Sequence, residues 1–195
     1  MKTGNILVFF FLIIPFSIHA QWGIKAGVDY GKLAGHGGTK YRPGYHIGVT
    51  YDYKLSGNFY LQPAFLFSYY QFGFKTDSYL KKGAVDKYNL ELPINLSLKP
   101  QLTENIKLVT DFGMYFKYGL GGNYKFEYWD FPKNTGSAFD DAYNRFDYGI
   151  NIGVGCEIDK IFIGLSYQYG LTGATSDKDS KTHNQLLRLS LGYKF

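Results

Sequence analysis

Cysteine is almost missing from this chain: one residue, Cys156, in 195. A lone thiol excludes an internal disulfide framework and any cysteine-rich zinc site. Methionine is nearly as scarce, with two residues, one of them the initiator. Charge is thin as well, at 19%. The 45% hydrophobic content nevertheless excludes a disordered chain. What fills the space is unusual: 24 glycines and 19% aromatics. Aromatic side chains suit a pleated surface and glycine is a poor helix former, so this composition points to strands. The length suits one domain with its own core.

Lys2 is the only charge before Lys25, and every residue from Ile6 to Ile14 is apolar. Pro15 and Ser17 break the run before Ala20-Gln21. A basic start, a short apolar stretch and a small residue before the cut describe a secretory signal peptide, residues 1–20. The run is too short to span a bilayer as a helix, which needs ~20 residues. No cysteine follows the cut, so lipoprotein processing is not expected. Cleavage leaves 21–195 as a single exported domain, with one positive charge fewer than the +5 of the whole chain. A second uncharged stretch, 55–74, carries Gly57, Asn58, Gln62 and Pro63 and reads as a turn plus one long strand.

The rest of the chain alternates with period two. The first apolar set is Trp22, Ile24, Ala26, Val28 and Tyr30. Seven further sets follow within 45–53, 59–69, 88–98, 106–118, 146–156, 161–171 and 187–195. Successive strand side chains point to opposite faces, so each set is one face of one strand. No position in the eight sets is charged. The charges lie on the other face: Lys25, Asp29, Asp52, Glu91, Lys99, Lys107, Asp111, Lys117, Asp147, Glu157, Arg188 and Lys194, half of each sign.

Alternation alone does not say which face is inside. A soluble barrel would turn the apolar face inward, a membrane barrel outward. Glycine placement favours the second, since the strand glycines (Gly23, Gly27, Gly113, Gly153 and others) all share the polar face. Connector lengths agree. They alternate long (31–43, 73–86, 119–144, 172–184) and short (54–57, 100–104, 158–160), as in outer-membrane barrels with long outer loops and short periplasmic turns. Aromatics then form two belts. Tyr30, Tyr45, Tyr69 and Tyr88 stand near the outer rim, Trp22, Tyr51, Phe59 and Tyr193 near the periplasmic one. The expectation is a closed, eight-stranded, antiparallel, up-and-down transmembrane β-barrel.

Several segments carry a resemblance: GIKAGVDYGKL (23–33), PGYHIGVTYDYKLSGNFYLQPAFLFS (43–68), YNLELPINLSLKP (88–100), RFDYGINIGVGCEI (145–158), LSYQYGLTG (165–173) and LRLSLGYKF (187–195). In order and in the closing aromatic, the chain resembles the PorT-like small outer-membrane β-barrel proteins of Bacteroidetes-type bacteria. The resemblance implies fold and location and little mechanism. It also makes the terminal Tyr193 and Phe195 similar to the signal read by the barrel-assembly machinery.

Sites of chemistry are few. Lys25, Glu91, Asp111, Asp147 and Arg188 are expected to pair in mid-barrel, as a structural core or a gated ion path; the first suits the need of each buried ion for a partner. Eight strands leave a lumen that side chains fill, which argues against an open pore. His36 and His183 are expected in loops, with His46 facing the lumen. Asp179, Ser180 and His183 put acid, hydroxyl and imidazole in one loop, but catalysis needs them oriented and in reach. Gly35-His36-Gly37-Gly38-Thr39-Lys40 lacks the Gly-Lys pair of a phosphate loop. Cys156 reads as inert on the lipid face.

The connector 119–144 is rich in aromatics, and Tyr124, Tyr128, Trp129 and Phe131 are the candidate partner-contact residues. The other reading is strand extension with the rings packed on each other. Asp140-Asp141 is a weak cation site. Lys32, Lys40 and Arg42 are a solvated loop that could face lipopolysaccharide phosphates. The expectation is therefore a structural or interaction protein of the outer membrane rather than an enzyme. It would have no cofactor, no metal and no nucleic-acid partner. Membrane lipids, the assembly machinery and an envelope protein are the expected partners. A rim enzyme, a narrow channel and an accessory factor of protein secretion are the alternatives.

Overall fold

The computed structural model describes residues 20–34, 39–76, 78, 80–129, 132–139, 143–174 and 182–195. The predicted leader up to residue 19, His36, Phe131, Asp140-Asp141 and Asp179-Ser180 lie outside the described residues.

Among the described residues, ten strands form one sheet: β1 (Ala20–Ala34), β2 (Thr39–Ser56), β3 (Phe59–Phe74), β4 (Leu80–Leu98), β5 (Gln101–Thr103), β6 (Ile106–Tyr128), β7 (Asn134–Ser137), β8 (Phe146–Ile158), β9 (Ile161–Gly170) and β10 (His183–Lys194). Eight of them close into a ring. Pairing runs β4-β3-β2-β1-β10-β9-β8-β6, and β4 pairs β6 to complete it. All these pairs are antiparallel, including the seam between the first and last strands. Closure removes the exposed edges that an open sheet would present.

The apolar sets face out. Phe112 is 63% exposed and Leu191 59%, whereas Glu91 is 1% exposed and Arg188 3%. An uncharged outer wall around a charged interior is stable only where the surroundings are hydrocarbon. No described helix is long and apolar enough to cross a membrane, and the chain crosses with strands. Gly57-Asn58 and Asp159-Lys160 join their strands as two-residue turns, with positive φ at Gly57 and Asp159, as tight hairpins require.

The outer connectors are shorter than the sequence suggests. β1 continues to Ala34 and β2 begins at Thr39; β3 reaches Phe74 and β4 begins at Leu80. β6 runs for 23 residues, about twice what a tilted strand needs to cross a bilayer. Above the membrane the outward face meets water instead of lipid. The apolar–polar alternation fades there although backbone pairing continues.

One irregularity reorganises the outer end. Asn89 of β4 pairs with Gly119 and Tyr88 with Gly121, so Leu120 is an extra residue on β6. A bulge of one residue sends every later side chain to the opposite face. Tyr118 points outward, but Tyr124, opposite Val85, and Phe126, opposite Gly83, point into the barrel mouth.

Candidate functional site

The lumen is filled in layers. At the periplasmic end Asp52, Glu157, Lys99 and Lys194 form a ring of alternating charge. Each ammonium bonds both carboxylates, with Lys99 Nζ 2.8 Å from Glu157 Oε1. Gln62 Nε2 donates to the second oxygen of Asp52 at 2.6 Å. Removing ions from water costs several kcal/mol each, and such a closed ring is what repays it.

The next layer centres on Phe162 and Lys25. The Phe162 ring occupies lumen space left by glycines; a Cβ on Gly164 would lie 2.3 Å from it. Lys25 Nζ sits 4.8 Å above that ring and donates to Gln62 Oε1 at 3.5 Å. Asp111 accepts from Ser97 Oγ at 2.5 Å.

Arg188 organises the layer above. Its guanidinium donates to both oxygens of Asp29 (2.8 and 2.9 Å) and both of Glu91 (2.9 and 3.0 Å). Glu91 also accepts from Gln168 at 2.5 Å and has Lys117 at 3.6 Å. The planar fork of arginine suits such double bidentate pairing. Asp29 Oδ1 lies 2.8 Å from His46 Nδ1, and His46 Nε2 lies 3.1 Å from Ser190 Oγ.

Carboxylate, imidazole and hydroxyl in line are the arrangement that activates a serine. Here the hydroxyl opens on a cavity of about 20 Å³ bordered by Lys25, Asn95, Asp111, Asn151 and Arg188, room for about one water. Asp29 is already engaged by Arg188. The trio acts as a satisfied hydrogen-bond chain that a substrate has no room to enter.

Of the five predicted lumen ions, only Glu91 and Arg188 are joined. Lys25 and Asp111 settle on neutral partners. Asp147 accepts from Tyr115 (3.2 Å), Asn184 (3.0 Å) and Thr172. The five do not form one paired cluster, because they occupy different heights of the lumen. Sequence reading placed Asp29, Asp52, Lys99, Glu157 and Lys194 on the inner face but missed their partnerships. Partners such as Lys99, just past β4, and Glu157 of β8 are 58 residues apart in the chain.

The outer mouth is closed by an apolar plug. Leu33, Tyr70, Phe72, Val85 and Leu186 from the wall meet Ala138, Phe139, Tyr143 and Ala174 from the connectors. Phe74, Tyr124 and Phe126 pack against them. Lys87, 2% exposed, lies beneath, with its ammonium 4.4 Å from the Tyr143 ring centre, 5.4 Å from Phe139 and 5.6 Å from Phe72. Among the described residues it has no carboxylate within ion-pair distance. Desolvated cation–π contacts contribute up to ~2 kcal/mol. Arg145 covers another face of Phe139 at 5.3 Å. Ala138 N donates to Gly122 O at 2.9 Å, tying the plug to β6. Burial pushes the Tyr143 hydroxyl up to about 12.

The candidate contact residues therefore divide. Tyr124 is turned into the plug, Tyr128 is half-buried opposite Leu80, and Trp129 is 56% exposed with Lys81 Nζ 5.3 Å over its ring. Phe131 lies outside the described residues. Strand extension with packed rings is what is found for most of this segment. His183 opens β10, stacked on Tyr169 at 5.5 Å, rather than lying in a loop. Tyr193 and Phe195 meet edge to face at 5.7 Å on the outer wall.

Two solved structures are similar to this chain. OprG of Pseudomonas aeruginosa matches with a TM-score of 0.51 and 16% identity over 90% of this chain and 96% of its own. Ail, the attachment invasion locus protein of Yersinia pestis, matches with a TM-score of 0.45 and 17% identity over 90% of this chain and 99% of its own. Among curated proteins, none matches by sequence. Residues 15–176 match the outer membrane protein beta-barrel domain. With its closed ring, lipid-facing wall and that match, the chain belongs to the outer membrane protein beta-barrel domain family and resides in the outer membrane.

Proposed function

We propose that this protein is a sealed barrel whose outer rim is a contact surface, and that it conducts neither ions nor solutes. The observation that carries this reading is the stacking of three fillings in one lumen: the Asp52–Lys99–Glu157–Lys194 ring, the Asp29–Arg188–Glu91 bridge and the aromatic plug over Lys87. The cavity beside Arg188 and Ser190, between the two charged layers, has room for about one water. An ion passing through would have to break at least one of the two charged layers, leaving buried charges uncompensated. Trp129, 56% exposed, and the cations of the rim form that surface.

Within the family we place the chain among the PorT-like small barrels, on the segments quoted above. Residues 1–20 are read as a cleaved leader. Tyr193 and Phe195, both exposed at the periplasmic end, are read as the assembly signal. An envelope protein partner would meet the rim at Trp129 and the Lys81 ammonium over its ring.

Planar-bilayer recording of the purified barrel tests sealing. A flat current trace is expected, and reproducible conductance steps from the wild-type protein would overturn it.

A further inference from the structure

The outer ends of β1, β2 and β3 carry four cations, Lys32, Lys40, Arg42 and Lys75. The described residues 30–34, 39–45 and 69–76 contain no acid. Lys40, Arg42 and Lys75 are exposed, and Lys32 is half-buried with Nζ 5.2 Å over the Tyr41 ring. Among the described residues, the ion pairs outside the lumen are limited to Lys133, just before β7, with Glu127 of β6. Among the described residues, Asp86 on β4 stands opposite Gln71 on the flank of the group. Arg42 is held in place. Its side chain runs along Gly73, with Nε 2.8 Å from where a Cβ on that glycine would stand. A guanidinium laid on backbone loses little entropy when it binds an anion.

Directly below lie flat aromatic surfaces. Tyr45 and Tyr69 are 5.3 Å apart, and Gln71 Nε2 donates to the Tyr69 hydroxyl at 2.7 Å. Further down the same wall, the small side chain of Ala26 sits between Ile47 and Leu191 on the neighbouring strands. It leaves an almost wholly apolar hollow of about 640 Å³, lined by Ile24, Ile47, Val49, Leu191 and Tyr193.

The spacing links the two features. Lys32 is six residues beyond Ala26 on β1, ~20 Å along a strand. At a barrel tilt of ~40° this is ~15 Å along the membrane normal, half of a ~30 Å hydrocarbon core. The cations thus stand one leaflet above the hollow. We infer that this sector holds one phosphorylated, acylated sugar lipid of the outer leaflet. Its phosphate lies on Lys32, Lys40 and Arg42, its sugar against Tyr45 and Tyr69, and an acyl chain reaches into the Ala26 hollow. A soluble anion makes no use of the hollow, and an uncharged lipid makes none of the cations. The inference rests on the outer wall and rim being a contact surface, as proposed above.

Native mass spectrometry of the full-length mature barrel in detergent tests it. The probes are lipid A, dephosphorylated lipid A and the chain-free phosphorylated disaccharide. The wild type retains one lipid A, about tenfold more than the dephosphorylated form, the scale of two or three solvent-exposed ion pairs. K32A/K40A/R42A abolishes that preference, and A26F lowers retention of both acylated forms. Gel migration of unheated samples verifies that each variant is a folded barrel. Equal retention of the two acylated forms by the wild type overturns the proposal, as does an undiminished preference in the triple variant. Chain-free disaccharide held as firmly as lipid A also overturns it, in favour of a soluble anion site. Sealing is read separately: a conducting barrel that still prefers phosphorylated lipid sinks only the sealed-barrel reading.

Discussion

Asp29 and Arg188 stand directly opposite each other across the seam where the first and last barrel strands meet, and the Arg188 guanidinium donates two hydrogen bonds to the Asp29 carboxylate there. Through Glu91 the same guanidinium ties that seam to β4, on the far side of the lumen. Arg188 thus joins elements that are remote in the chain at the point where the barrel has to close.

Replacing Arg188 by Met should destabilise the barrel by ~3–5 kcal/mol, because Asp29 and Glu91 would be left as buried uncompensated carboxylates. The triple variant D29N/E91Q/R188M should recover much of this loss. Urea titration in micelles, followed by the gel shift between folded and heated forms, measures both. If R188M unfolds at the wild-type midpoint, the bridge is not a closure device.

Phe139 occupies the space over Gly119, where a Cβ would come within 2.3 Å of its ring. Gly119→Val should therefore expel Phe139 and release the plug, and Phe139→Ala should do the same by removing its anchor. Both variants should be cut faster within 129–145 by an added protease, roughly tenfold, while the membrane-embedded barrel resists. Wild-type cleavage rates in both variants would show that the plug is held by other contacts.

The extra residue at Leu120 decides which way Tyr124 and Phe126 face. Deleting it should turn both rings outward. Dye binding to exposed apolar surface should rise and the plug should become protease-sensitive, with the gel shift of the folded barrel retained. A deletion variant as resistant as wild type would mean that β4 and β6 slip to restore the register.

Tyr143 has its hydroxyl pushed up to about 12 by burial in the plug, against about 10 when unfolded. A raised value means that its contribution to stability is complete below pH 10 and is lost as pH rises towards 12. Difference titration of wild type against Tyr143→Phe, read by tyrosinate absorption, should show one group ionising near the upper value. Ionisation of that group near 10 would place Tyr143 in water.

Much of the fold is legible in the sequence alone. Trp22 to Tyr30, Ile106 to Tyr118 and Leu187 to Phe195 alternate because one face meets lipid and the other a charged lumen, and that demand is written residue by residue. Legibility stopped at the membrane boundary. Beyond Tyr118 both faces see water or the plug, the alternation weakens, and Tyr124 looks like an exposed contact residue when it is a packed one. The lumen network was half legible: the identity of its ions followed from the pattern, and their pairing did not.

Local periodicity thus determined the eight wall strands and the gathering of charge on one face of each, since both depend only on neighbours two residues apart; glycine placement and connector lengths, also written in the sequence, turned the apolar face outward. Tertiary structure alone decided that Asp29 meets Arg188, that Asp52 shares Lys99 and Lys194 with Glu157, and that Ala26 lies one leaflet below Lys32 on a shared wall. Those relations depend on register between strands and on the shear of a closed ring. Both are set by all eight strands at once, and no short stretch of sequence contains them.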